Sequence, residues 1–98
     1  MKGVTLTLNR AVAMILELKS QYDTEETGYI TKADFIAYLM TNGHGTDRSS
    51  VRDLIAKFKI LGFLREDYVT EKLFFTYENS KMYENWKKQK GLGGFLND

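Results

Sequence analysis

Thr46-Asp47-Arg48-Ser49-Ser50-Val51-Arg52-Asp53-Leu54-Ile55-Ala56-Lys57-Phe58-Lys59-Ile60-Leu61-Gly62-Phe63-Leu64-Arg65 reads as a helix with a marked start and a marked stop. Thr46 or Asp47 supplies an oxygen to cap the first free N–H groups. Val51, Leu54, Ile55, Phe58 and Leu61 recur at three- and four-residue steps and fall within about 120° of the helical wheel. Gly62 stands where a C-terminal glycine ends a helix. The opposite side and its flanks hold Ser49, Arg52, Asp53, Ala56, Lys57 and Lys59. Ile60 also points outward on the wheel, so something has to cover it.

Upstream, Leu8, Ala11, Val12, Ile15, Leu18 and Tyr22 predict a first helix from about Asn9 to Tyr22. Tyr29-Ile30 predicts a very short strand. Thr31 then caps a second helix over residues 32–42, with Asp34 near its positive end. Phe35, Ile36, Leu39 and Met40 are its expected apolar face. Gly43-His44-Gly45 breaks that helix, and His44 reads as a turn residue. Downstream, Phe63-Leu64-Arg65 and Leu73-Phe74-Phe75-Thr76-Tyr77 are β-prone and predict a hairpin joined through residues 66–72. Met82, Tyr83 and Trp86 predict a C-terminal amphipathic helix from about Asn79 to Lys90, followed by a flexible tail over 91–98. The expected fold is mainly α with a small β-hairpin, an α+β domain over residues 1–90 with a three-helix core.

The chain has 98 residues, of which 43% are hydrophobic and 28% charged, enough for one domain with a thin core. It has no cysteine, which excludes disulfides, thiolate metal sites and a cysteine nucleophile. No apolar run approaches the ~20 residues that cross a bilayer. The N-terminus lacks the apolar stretch of a signal peptide, so a cytoplasmic protein with no membrane partner is expected. The net charge is only +1, but it is unevenly spread: residues 1–47 carry four basic and six acidic side chains, and residues 48–98 ten and seven. A local basic strip on a neutral protein attracts phosphate, because fields near a surface act within a Debye length of about 8–10 Å.

The quoted stretch, within the order helix, strand, helix, helix, hairpin, helix, resembles the winged helix-turn-helix family. The resemblance runs from about Ala11 to Tyr77. It implies that 48–61 is the recognition helix, 32–42 the positioning helix and 63–77 the wing. It further implies a sequence-specific duplex DNA-binding protein, a transcription regulator without a cofactor. Arg48, Ser49, Ser50 and Arg52 occupy the segment such proteins present to the major groove, while Lys57 and Lys32 are the implied phosphate contacts. A plasmid or viral DNA-organising or centromere-binding protein would use the same surface. Two features depart from the pattern. Asp53 repels phosphate, and Glu66, Asp67 and Glu71 outnumber Lys72 in the wing, so a helix-dominated contact with a marginal wing is expected. The acidic wing also suits a winged helix used only for protein contacts.

Such modules read little DNA alone, and a two-fold dimer sets two reading helices about 34 Å apart. Leu6, Leu8, Ile60, Met82, Tyr83 and Trp86 are the candidate dimer surface, and they equally suit packing against the first helix. A second motif competes. Residues 23–34, from Asp23 through Glu25, Thr27, Gly28 and Thr31 to Asp34, resemble an EF-hand calcium loop, which would make this a single-hand calcium-binding protein. Glu25 is longer than usual at the third position, Asp34 is shorter than the usual glutamate, and no second loop is present. The same spacing equally describes a glycine turn followed by a capped helix, so no metal ligand is assigned. No serine–histidine–aspartate set, phosphate-binding glycine loop or zinc spacing occurs, and an enzyme is not expected.

Overall fold

The computed structural model describes residues 7–42 and 48–93. Leu6, the Gly43-His44-Gly45 break, the Thr46 or Asp47 cap and residues 94–98 lie outside them, as does the side chain of Arg48. Among the described residues are four α-helices and a three-stranded antiparallel sheet, in the order α1 (Leu8–Tyr22), β1 (Tyr29–Thr31), α2 (Lys32–Thr41), α3 (Arg48–Leu61), β2 (Leu64–Asp67), β3 (Lys72–Phe75) and α4 (Lys81–Gly93). A single 3₁₀ turn, Tyr77–Asn79, links β3 to α4. The α+β class read from the periodicities is the observed one.

Helix α1 starts where the Thr7 hydroxyl accepts from the Arg10 N–H, and it buries Ala11, Val12, Met14, Ile15 and Leu18. Helix α2 starts on a reciprocal cap: Asp34 N–H donates to Thr31 Oγ1, and Thr31 N–H donates to the Asp34 carboxylate. Its inner face differs from the expected one. Phe35, Tyr38 and Leu39 are buried, whereas Ile36 and Met40 are exposed. Tyr38 displaces them because its hydroxyl donates to Glu17 at 2.8 Å, so the ring is buried without leaving a polar atom unsatisfied. Burial pushes the Tyr38 hydroxyl well above the usual tyrosine range, and the Glu17 hydrogen bond adds to the shift.

Helix α3 buries Ile55 and Phe58 and packs Val51, Leu54 and Leu61 against the same core. At its end, Gly62 N–H donates to the Lys59 carbonyl and Phe63 N–H to the Phe58 carbonyl, the two bonds of a Schellman stop. The accompanying apolar contact is the stacking of Phe63 on Phe58, with ring centroids 6.2 Å apart. Gly62 has φ +80°, and a Cβ there would meet Ser80 at 3.4 Å. Gly62→Ala therefore costs about 1–2 kcal/mol of stability, mainly from the left-handed backbone. A urea melt checks it, and an unchanged midpoint would mean that the turn tolerates a side chain.

The sheet order is β1-β3-β2. Ile30 pairs with Leu73, and Leu73 with Glu66, which puts one carboxylate in an otherwise apolar row. The loop is shorter than residues 66–72 implied, since β2 runs on to Asp67 and β3 begins at Lys72, but β3 stops at Phe75 and Tyr77 enters the 3₁₀ turn. The turn is held by Asp67, whose carboxylate accepts from the Val69 and Thr70 N–H groups, and by Glu71 at φ +60°. On the alternate row, the Arg65 guanidinium lies 4.4 Å from the Phe74 ring and the Lys72 ammonium 4.3 Å from the Tyr29 ring. Helix α4 is capped by Ser80 and runs from Lys81 to Gly93, starting later than Asn79 and continuing three residues past the expected end at Lys90 into the tail expected to be flexible. The Ser80 hydroxyl accepts from Tyr83 N–H and donates to the Leu61 carbonyl at 2.6 Å. No helix among the described residues is long and apolar enough to cross a membrane.

Candidate nucleic-acid interface

The Schellman stop and the Phe58 and Ile55 anchors fix which side of α3 faces water. Ser49, Arg52, Asp53, Ala56, Lys57 and Ile60 are exposed, and Ser50 is half-buried. No other element of the described chain seals this face. Ile60 stays 84% exposed, so the cover expected for it does not come from within the described residues. Arg52 and Lys57 offer two cations beside the small side chains of Ser49 and Ala56, and small residues let a helix backbone approach another surface closely. The backbone of Arg48 belongs to the first turn of the same helix.

Between α3 and the wing runs a cleft of about 400 Å³ lined by Lys32, Arg52, Ile55, Lys59, Glu66 and Tyr68, among others. Glu66 is its centre of charge. The Lys32 ammonium meets one carboxylate oxygen at 2.5 Å, and the Lys59 ammonium meets the other at 3.1 Å. Burial pushes the Glu66 carboxyl up, but the hydrogen bonds from Lys32 and Lys59 outweigh it and hold the group below the ordinary carboxylate range. Lys59 also donates to the Tyr68 hydroxyl at 2.6 Å, and that bond, with Glu66, holds its ammonium above the usual lysine range. Lys32 is therefore bound to the wing rather than projected away from the protein. One of the three acids counted against the wing turns inward and is neutralised. The exposed wing tip is apolar, with Tyr68 and Val69 outermost.

The candidate dimer residues divide. Leu8, Tyr83 and Trp86 pack against the chain's own core. Tyr83 stacks on Trp86 and meets Tyr77 edge to face at 5.0 Å, and the indole N–H of Trp86 donates to Asn9 at 2.7 Å. Ile60 and Met82 are exposed.

The loop from Asp23 closes on itself. One carboxylate oxygen of Asp23 accepts from the Thr27 N–H and hydroxyl, and the other from Gly28 N–H and the Lys19 ammonium at 2.8 Å. Burial pushes the Asp23 carboxyl up, and these donors, Lys19 first, bring it below its ordinary value. The Lys19 ammonium thus supplies positive charge from within the chain. Asp34 is occupied as the α2 cap. Among the described residues no three acidic, histidine or cysteine side chains converge as a metal cage.

No protein-family model matches the chain, and neither a curated protein nor a solved structure matches it significantly. The class is accordingly defined by the fold: an α+β domain of four described helices and one small antiparallel sheet.

Proposed function

We propose that this chain is a winged helix-turn-helix protein that binds duplex DNA with α3 in the major groove. The element order and the sheet order β1-β3-β2 support the architecture, with α2 as positioning helix and β2–β3 as wing. The observation that carries the reading is the uncovered outer face of α3. Its fourteen residues span roughly 21 Å, enough for the first two turns to lie in the groove. In this reading Arg48 and Arg52, with Ser49 or Ser50, read base edges, and Lys57 contacts phosphate. Asp53 works against this attraction and confines close approach to the Arg52 and Ser49 side. Transcription regulation is the use that suits such a surface, and a DNA-organising role suits it equally. A homodimer would draw on Ile60 and Met82, since Leu8, Tyr83 and Trp86 serve the fold.

Selection from a random duplex library, followed by anisotropy titration of the enriched site, tests the reading. Arg52→Ala is expected to weaken that site by about 1–3 kcal/mol if the guanidinium pairs with a base. An unaltered affinity takes Arg52 out of the interface. A second reading, protein contact alone, is favoured by the apolar side chains at Ile60, Tyr68 and Val69, with Val69 92% exposed. It is preferred if selection enriches no sequence and Arg52→Ala changes nothing.

A further inference from the structure

We propose that Glu66 is an internal stand-in for a DNA phosphate, which limits the affinity of the interface by occupying Lys32 and Lys59. This rests on the duplex-binding reading above. With the outer face of α3 in the major groove, the flanking phosphate strand runs beside α3, on the side where Arg52 lines the α3–wing cleft. Lys32, Arg52 and Lys59 line that cleft together with Asp53 and Glu66, so three cations and two carboxylates face the polyanion. Two of them are already engaged by a carboxylate whose oxygens each hold one ammonium.

Glu66 carries its charge in a buried position. Its side chain is 6% exposed and stands in the row of Ile30 and Leu73, where the sheet buries apolar groups. An ionised carboxylate there is tolerated only with close cationic partners. The two lysine side chains are themselves about a third exposed, at 36% and 34%, so a phosphate can reach them but has to compete with Glu66. Each lysine that neutralises a phosphate adds about 0.9 to the salt slope of binding. Two lysines held by Glu66 are two such contacts withheld. That term is independent of sequence, so withholding it weakens binding to random DNA without removing the base contacts of α3. Glu66 therefore limits affinity for specific and random duplexes alike and leaves the choice of sequence to α3.

The test is Glu66→Gln, which keeps the shape, removes the charge and leaves one accepting oxygen in place of two. Affinity for a random-sequence duplex is measured by anisotropy from 50 to 200 mM salt. The variant is expected to bind more tightly at 50 mM, and its loss of affinity across that range should exceed the wild-type loss by about threefold to tenfold. A folded variant with unchanged or shallower salt dependence overturns the proposal. Lys32→Gln tests it independently of how well Glu66→Gln folds. It should leave the salt dependence at the wild-type value, whereas Lys57→Gln should reduce the loss across the range by about threefold. A Lys32→Gln variant that loses as much as Lys57→Gln overturns the proposal too. If Arg52→Ala and Lys57→Gln weaken binding while Glu66→Gln changes nothing, only the role of Glu66 falls. If neither of those α3 variants matters, the duplex-binding reading falls with it.

Discussion

Phe58→Ala is expected to lower the free energy of unfolding by about 3–5 kcal/mol in a denaturant melt. Phe58 is fully buried, meets Phe35 edge to face at 6.1 Å, and carries Phe63 stacked upon it. Truncation removes the ring's burial and leaves a cavity whose walls belong to two helices and the start of the wing. Its neighbours are held by the cap of α2 and the Schellman stop of α3, so they have little freedom to collapse into the space. Domains of this size are stable by only about 5–15 kcal/mol, so the loss is a large share of the total. A cost under about 1 kcal/mol would mean that α3 is not rooted at Phe58, and its outer face would then no longer be fixed.

The second large effect is at Asp23. Asp23→Asn should destabilise the protein by about 2–4 kcal/mol at neutral pH, because it removes a buried charge that holds an ammonium, two backbone N–H groups and a hydroxyl. The pH dependence separates this from simple loss of packing. The folded-state pKa values of Asp23 and Glu66 are both lowered, so their contribution is present above the unfolded carboxylate range. It is lost as pH falls through the folded values, beginning below about pH 4. Wild-type stability should therefore decline steeply on acidification, and the Asn variant more gently, since one of the linked carboxyls is gone. Parallel curves for the two proteins in thermal melts from pH 7 to pH 3 would show that the Asp23 charge contributes nothing.

Most elements were legible because each had its own local signal. The 3.6-residue repeat located α1 and α3, Thr31 with Asp34 located the start of α2, and Gly62 the end of α3. What escaped depended on contacts between distant residues. Tyr38 turns inward because Glu17 waits on α1, twenty-one residues earlier. Ser80 begins α4 because Leu61 presents a free carbonyl to it. The wing turn lacks a glycine or an asparagine–glycine pair, and its left-handed residue is Glu71, so composition alone blurred its limits. The outer face of α3 could be read from the wheel. The pairing of Lys32 and Lys59 with Glu66 could not, since Glu66 read as one more acid on a surface hairpin.

The wing also begins and ends on common ground. Thr76 donates its hydroxyl to the Gly62 carbonyl and its N–H to the Phe63 carbonyl, and Ser80 holds the Leu61 carbonyl just beyond. The hairpin is thus an excursion whose two feet are pinned side by side, independently of what happens at its crest. Residues can be added between Val69 and Thr70, away from the Tyr68 hydroxyl that accepts from Lys59 and the Glu71 carbonyl that accepts from Lys32 N–H, without moving either footing. The reach of this arm is a separate variable from the placement of the helix beside it, so evolution or an engineer can alter one and leave the other where it was.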